Sequence, residues 1–250
     1  MNKIIFSFIT TALAGFSTLL GVIPCFFNKK YKDNIVAFTL SFSSGVMLSI
    51  SICSLIPEAV ELLKDRFLLF PLFLISFIFV VVGVIISFFT SNSVDLIIPN
   101  NKLYKLGIIS IIVLVLHNIP EGITTFISTT SNTTLGIKLA IAIALHNIPE
   151  GISIAIPIYF STNSFKKAFL YTFIAGFSEL LGAFIAYLFI AKYVTDFLLA
   201  VILLITAGIM IHISVYELLP VSLQYKKKKA TTLAFVIGFL ILILCGVFLK

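Results

Sequence analysis

The chain has 250 residues, of which 60% are hydrophobic and 11% charged, and its mean hydropathy is +1.19. Soluble domains carry about 45–50% apolar and about 25% charged residues, so a soluble domain, a disordered chain and a disulfide-stapled module are all excluded. A helical span needs about 20 apolar residues, and eight such runs with short gaps use up the whole length. The net charge of +7 does not indicate nucleic acid. Its lysines stand in gaps between apolar runs (Lys29, Lys30 and Lys32; Lys166 and Lys167; Lys226 to Lys229), the pattern of loops held on the cytoplasmic side.

In chain order the apolar runs predict spans over 4–27, 35–57, 67–90, 106–128, 135–160, 165–191, 197–220 and 230–249. The expectation is one all-α, polytopic membrane domain over 1–250, an eight-helix bundle. The first run extends to Phe27 without a convincing cleavage site, so it reads as a retained span. The longest loop is expected over 91–105. Counting basic residues in alternate loops gives 11 for one face (3, 2, 2 and 4) and 6 for the other (Lys3, Lys64, Arg66, Lys138, Lys192 and Lys250). Both termini are therefore expected outside, in the plasma (inner) membrane. Cys25, Cys53 and Cys245 lie in or beside apolar runs with no CxxC pair and read as small buried apolar residues.

Four of the ten acidic residues, Glu121, Glu150, Glu179 and Glu217, fall inside predicted spans, as do all three histidines, His117, His146 and His212. Glu58 closes the second span. An ionisable side chain at the bilayer centre costs about 2.5–3.5 kcal/mol on insertion scales, and no lysine or arginine is predicted at that depth. A bound cation would supply the missing charge.

Two of these spans carry one motif. Leu116-His117-Asn118-Ile119-Pro120-Glu121-Gly122-Ile123 recurs as Leu145-His146-Asn147-Ile148-Pro149-Glu150-Gly151-Ile152, 29 residues on. Histidine and glutamate at i and i+4 share one helical face, so each copy is a two-ligand claw. Pro120 and Pro149 lack an N–H and clash with the carbonyl four residues back, which predicts kinks. His117 stands about eleven residues into its span, ~16 Å at 1.5 Å per residue, near the middle of a ~30 Å core. The two spans are antiparallel, so the claws are expected to meet at the midplane, between spans four, five and six. Imidazole, carboxylate and the Asn118 and Asn147 amides suit Zn²⁺ or a related Fe²⁺, Mn²⁺, Co²⁺ or Cd²⁺ ion rather than Cu(I), Mg²⁺ or Ca²⁺. Glu179 could complete a second position, and Glu58, His212 and Glu217 are candidates for the ion's path.

With these motifs the chain resembles the ZIP (Zrt/Irt-like) family of divalent metal transporters, in a compact bacterial form. Leu55-Ile56-Pro57-Glu58-Ala59, Glu179 with Gly182, and Glu217-Leu218-Leu219-Pro220 are similar to its flanking motifs. The resemblance implies a homodimeric importer working by alternating access, with the metal as substrate and no cofactor. One ion would take His117, Glu121, His146 and Glu150; a second would take Asn118, Asn147 and Glu179, sharing Glu121 and Glu150. Leu180 stands where many relatives have proline, Asn147 where some have aspartate, and Ser54 where some have histidine. A passive metal-selective channel fits the same ligands. An intramembrane metalloenzyme fits poorly, because Asn118 and Asn147 occupy the place of the catalytic glutamate in His-Glu-x-x-His.

Overall fold

In hydrocarbon every backbone polar group must be satisfied within the protein, which leaves helices or closed barrels as spanning forms. The computed structural model describes residues 2–98, 101–190 and 195–249, without the side chains of 95, 190 and 242–249, and every element in it is helical. Helix α1 (Lys3–Phe16) continues as a 3-10 segment, Ser17–Phe26. Then come α2 (Lys32–Ile50), α3 (Ile56–Leu63), α4 (Leu69–Ile97), α5 (Lys102–Ser131), α6 (Thr133–Thr162), α7 (Phe165–Ile185), α8 (Asp196–His212), α9 (Leu219–Gln224) and α10 (Lys228–Leu249).

Among the described residues seven helical segments are long and apolar enough to cross a membrane: Lys3–Phe26, Lys29–Leu63, Leu69–Val94, Lys102–Ser131, Thr133–Thr162, Phe165–Phe189 and Asp196–Gln224. They coincide with the first seven predicted runs, and the second and seventh run several residues further. Glu58 therefore sits inside a continuing helix rather than at its end. The loop expected over 91–105 is shorter, because α4 reaches Ile97 and α5 begins at Lys102. The eighth run falls on α10, which has 22 residues. Lys192, Lys250 and the side chain of Cys245 lie outside the described residues. Cys25 is buried, as expected, but Cys53 is exposed.

Short, well-capped connections set the topology. Asn132 alone joins α5 to α6, and its side-chain oxygen accepts from the backbone N–H groups of Thr134 and Leu135, an N-cap for α6; beyond this one-residue link the two helices pack along each other. Asn163, in the left-handed region at φ 56°, ends α6, and Ser164 caps α7. Helices α1, α5, α6 and α7 pack on one another as one group. In a second group α10 lies along α2, and α4 and α3 lie along α8. Helix α2 also packs along α6 and so joins the two groups. Phe70, Phe73, Phe77 and Phe89 of α4 point outward, as lipid-facing side chains do.

The helices are interrupted at two of the flanking motifs. Ser51–Leu55 and Ile213–Leu218 are π-helical turns, directly ahead of Pro57 and Pro220. A proline removes one N–H from the ladder, and a local shift to i→i+5 bonding absorbs the gap. Helices α5 and α6, by contrast, each run through Pro120 and Pro149 as a single element, and α7 runs on past Glu179, as Leu180 permits.

Candidate metal centre

The repeated motif lies near the middle of two 30-residue helices, α5 and α6, and the pairing brings its two copies together. His117 Nε2 is 3.2 Å from Glu121 Oε1 on its own helix and 3.2 Å from Glu150 Oε1 on the next. His146 Nε2 is 3.0 Å from Glu121 Oε1. His117, Glu121 and His146 form a group whose ligand atoms all lie within 4.8 Å of one another. All of these side chains are buried, as are Asn118, Asn147 and Glu179.

The hydrogen bonds show what is missing. Buried polar groups normally find a partner, and an orphan costs about 1–3 kcal/mol. Here Asn118 Oδ1, Glu121 Oε2, Asn147 Oδ1, Glu179 Oε1 and both carboxylate oxygens of Glu150 have none. His117 Nε2 is also without a hydrogen bond, although it stands between two carboxylates, because neither approach is aligned for one. Among the described residues no lysine or arginine is buried. Three carboxylates and two imidazoles, with lone pairs converging and no protein cation, have the chemistry of a transition-metal site.

A second repeat positions the first. Ala14-Gly15-Phe16-Ser17-Thr18-Leu19-Leu20-Gly21 and Ala175-Gly176-Phe177-Ser178-Glu179-Leu180-Leu181-Gly182 differ only at Thr18 and Glu179. The structure uses both copies alike. Asn147 donates to the carbonyl of Ala14 and Asn118 to that of Ala175, each at 2.9 Å. A Cβ on Gly151 would lie 1.9 Å from Thr18 O, and one on Gly122 would lie 1.8 Å from Glu179 O. So α6 meets the α1 segment as α5 meets α7, and only glycine permits either approach. The self-match at a spacing of 161 residues was available in the sequence.

The single difference is chemical. Glu179 brings a carboxylate to the centre and Thr18 does not; Thr18 instead donates to Gly15 O. Asn147 donates a second bond to Glu179 Oε2 at 2.8 Å. Beside the centre lies a cavity of about 50 Å³ whose lining includes Ser54, Glu58, Glu121, Leu139, His146 and Leu203, so Glu58 shares a cavity with two of the clustered residues. His212 and Glu217 are engaged elsewhere. His212 Nδ1 is 2.9 Å from Ser87 Oγ, and Glu217 Oε1 accepts from Ser91 Oγ at 2.6 Å, both on α4.

Several apolar spans around a buried histidine–carboxylate cluster define a multi-pass membrane protein with a metal-binding centre. The sequence profile of the ZIP Zinc transporter family matches residues 100–246. The chain is 35% identical to the zinc transporter ZupT of Campylobacter jejuni, over 97% of this chain and 96% of that protein. The ZupT proteins of Clostridium perfringens and Streptococcus mutans are 32% and 34% identical, over 97% and 94% of this chain and 95% and 94% of theirs. The chain belongs to the ZIP family. That is a family of transporters, which sets aside the metalloenzyme alternative.

Proposed function

We propose that this protein imports Zn²⁺ across the plasma membrane into the cytoplasm by alternating access, as one eight-span domain whose last span is α10. His117, Glu121, His146 and Glu150 hold one ion near the bilayer midplane. Asn118, Asn147 and Glu179 offer a second, adjacent position that shares Glu121 and Glu150. The observation that carries this reading is the set of buried acceptor oxygens without donors around two imidazoles. The names of the relatives favour zinc as the substrate; Fe²⁺, Mn²⁺, Co²⁺ and Cd²⁺ meet the same ligand chemistry.

In the orientation expected from the loop charges, Glu58 and the cavity face the outside and the lysine-rich ends face the cytoplasm. An ion would then pass Glu58 on its way in. On the lysine-bearing side of the centre, Lys29 and Lys32 bond Asn163 and the Phe160 carbonyl, which favours alternating access over a continuous channel. His212 and Glu217, each held by an α4 serine, fasten α4 to α8 in this reading. The working unit is taken as a homodimer with both termini outside.

The test is uptake of Zn²⁺, Fe²⁺, Mn²⁺, Co²⁺ and Cd²⁺ into metal-free proteoliposomes by the native chain and by Glu121→Ala. Saturable Zn²⁺ entry that the variant loses is the expected result. Metal that binds without crossing the membrane would defeat the transport reading.

A further inference from the structure

The two copies of the metal claw differ in what holds the carbonyl beside the glutamate. In α5 the Pro120 carbonyl accepts the hydroxyl of Thr124 from its own helix, at 3.0 Å. In α6 the equivalent hydroxyl, that of Ser153, bonds one residue later, to Glu150 O at 2.7 Å. The Pro149 carbonyl is left to another helix: Ser43 Oγ of α2 donates to it at 2.7 Å, and Ser43 is fully buried. The peptide bonded by Ser43 is the one that joins Pro149 to Glu150.

That bond is the inner end of a regular seam. Lys29 Nζ donates to Asn163 Oδ1 at 2.9 Å, and Lys32 Nζ to the Phe160 carbonyl at 3.5 Å. Three residues on from Lys29 to Lys32 match three back from Asn163 to Phe160. Eleven on to Ser43 match eleven back to Pro149. All three bonds keep one antiparallel register over 14 residues on each side of the seam, roughly 21 Å at 1.5 Å per residue. Lys29 and Lys32 also lie over the rings of Tyr159 and Phe160, at 5.4 and 5.8 Å from the centroids. The seam runs from the centre to the lysine-bearing end, whereas the cavity beside Glu58 lies on the opposite side of the centre.

We propose that Ser43 is a positioning residue for Glu150: its hydroxyl ties the α6 claw to α2 and is the site end of a seam that seals the lysine-bearing side. The inference rests on the transport reading and adds to it the contact that must part before an ion leaves toward that side. Because Ser43 belongs to the other helix group, the bond exists only while α6 keeps this register on α2. Losing it depopulates the arrangement in which the ligands converge, and apparent affinity falls with that population.

The experiment compares the full chain with Ser43→Ala, Lys32→Ala and Ser41→Ala. Ser41 is a control on the same helix; its hydroxyl is buried and bonds Thr231 O of α10 rather than α6. Zn²⁺ uptake into proteoliposomes gives KM and Vmax, and equilibrium Zn²⁺ binding to the solubilised protein gives Kd. Ser43→Ala is expected to raise KM and Kd about threefold or more, the factor set by one net buried hydrogen bond, without lowering Vmax. Lys32→Ala should move KM in the same direction, and Ser41→Ala should leave both constants unchanged. Unchanged constants in Ser43→Ala, or an equal rise in Ser41→Ala, would overturn the proposal. A native chain that binds Zn²⁺ without transporting it would defeat the transport reading alone, since Kd still reports on Ser43.

Discussion

Asn147 donates to Glu179 Oε2 at 2.8 Å and, with the same amide nitrogen, to the carbonyl of Ala14 at 2.9 Å. One side chain of α6 thus ties α7 to α1 across the centre and turns the Glu179 carboxylate while its own Oδ1 stays free. Asparagine suits this place because it is both donor and acceptor. An aspartate there has no N–H for either bond.

Asn147→Asp should therefore destabilise the metal-free protein by about 1–3 kcal/mol, the cost of two buried acceptors facing a third. Zn²⁺ should restore more stability to this variant than to the native chain, because the ion satisfies the added charge. Thermal unfolding with and without Zn²⁺ reads both quantities. Equal metal-induced shifts in the two proteins would contradict the account.

Glu150 has neither carboxylate oxygen hydrogen-bonded and is fully buried. Glu150→Ala should abolish saturable Zn²⁺ uptake and leave the protein folded in the membrane, since it removes an uncompensated charge from the interior. Uptake at native rates would exclude Glu150 as a ligand.

Gly122→Ala and Gly151→Ala push a methyl group against backbone atoms of Glu179 and Thr18 that cannot turn aside. Each should cost about 1–3 kcal/mol of stability, read as loss of monodisperse protein on solubilisation and heating. Gly107→Ala is the contrast. Its Cβ would meet the side chain of Ile158, 2.5 Å from Cδ1, which can change rotamer, so a smaller loss is expected.

Metal and protons compete for the same imidazole nitrogens, and histidine binds metal only when neutral. Zn²⁺ uptake should fall as the pH is lowered, and KM should rise before Vmax declines. A rate constant across pH 5 to 8 would argue against ligation by His117 and His146.

His212 donates to or accepts from Ser87 and stacks on Tyr216, away from the claws. His212→Ala is expected to lose about 1 kcal/mol of stability, one net hydrogen bond, and to keep the native Kd for Zn²⁺. A tenfold loss of affinity would return His212 to the metal's path.

Much of the molecule was legible in the sequence. Helix is the form that lets a single apolar run satisfy its backbone in hydrocarbon, so run length alone located seven segments. Histidine and glutamate four apart must share a helical face, so each claw followed from spacing. The second span runs past its predicted end at 57 to Leu63, because a π turn ahead of Pro57 absorbs the missing N–H and lets the helical path continue through α3. His212 and Glu217 carry the same intramembrane signal as the claw residues, and one-dimensional sequence cannot say which neighbour each will face.

The sequence by itself determined the membrane setting, the helical class and the two-ligand unit, because each depends on composition or on separations within one turn. Only the tertiary structure decided that Glu121 contacts both histidines, that Asn147 turns Glu179, and that Ser43 reaches the Pro149 carbonyl. Those relations join residues 25, 32 and 106 positions apart, or four in the case of His117 and Glu121. Apart from that last pair, they depend on the register in which helices dock. Register is set by close packing at glycines such as Gly122 and Gly151, where the absence of a side chain lets two backbones meet.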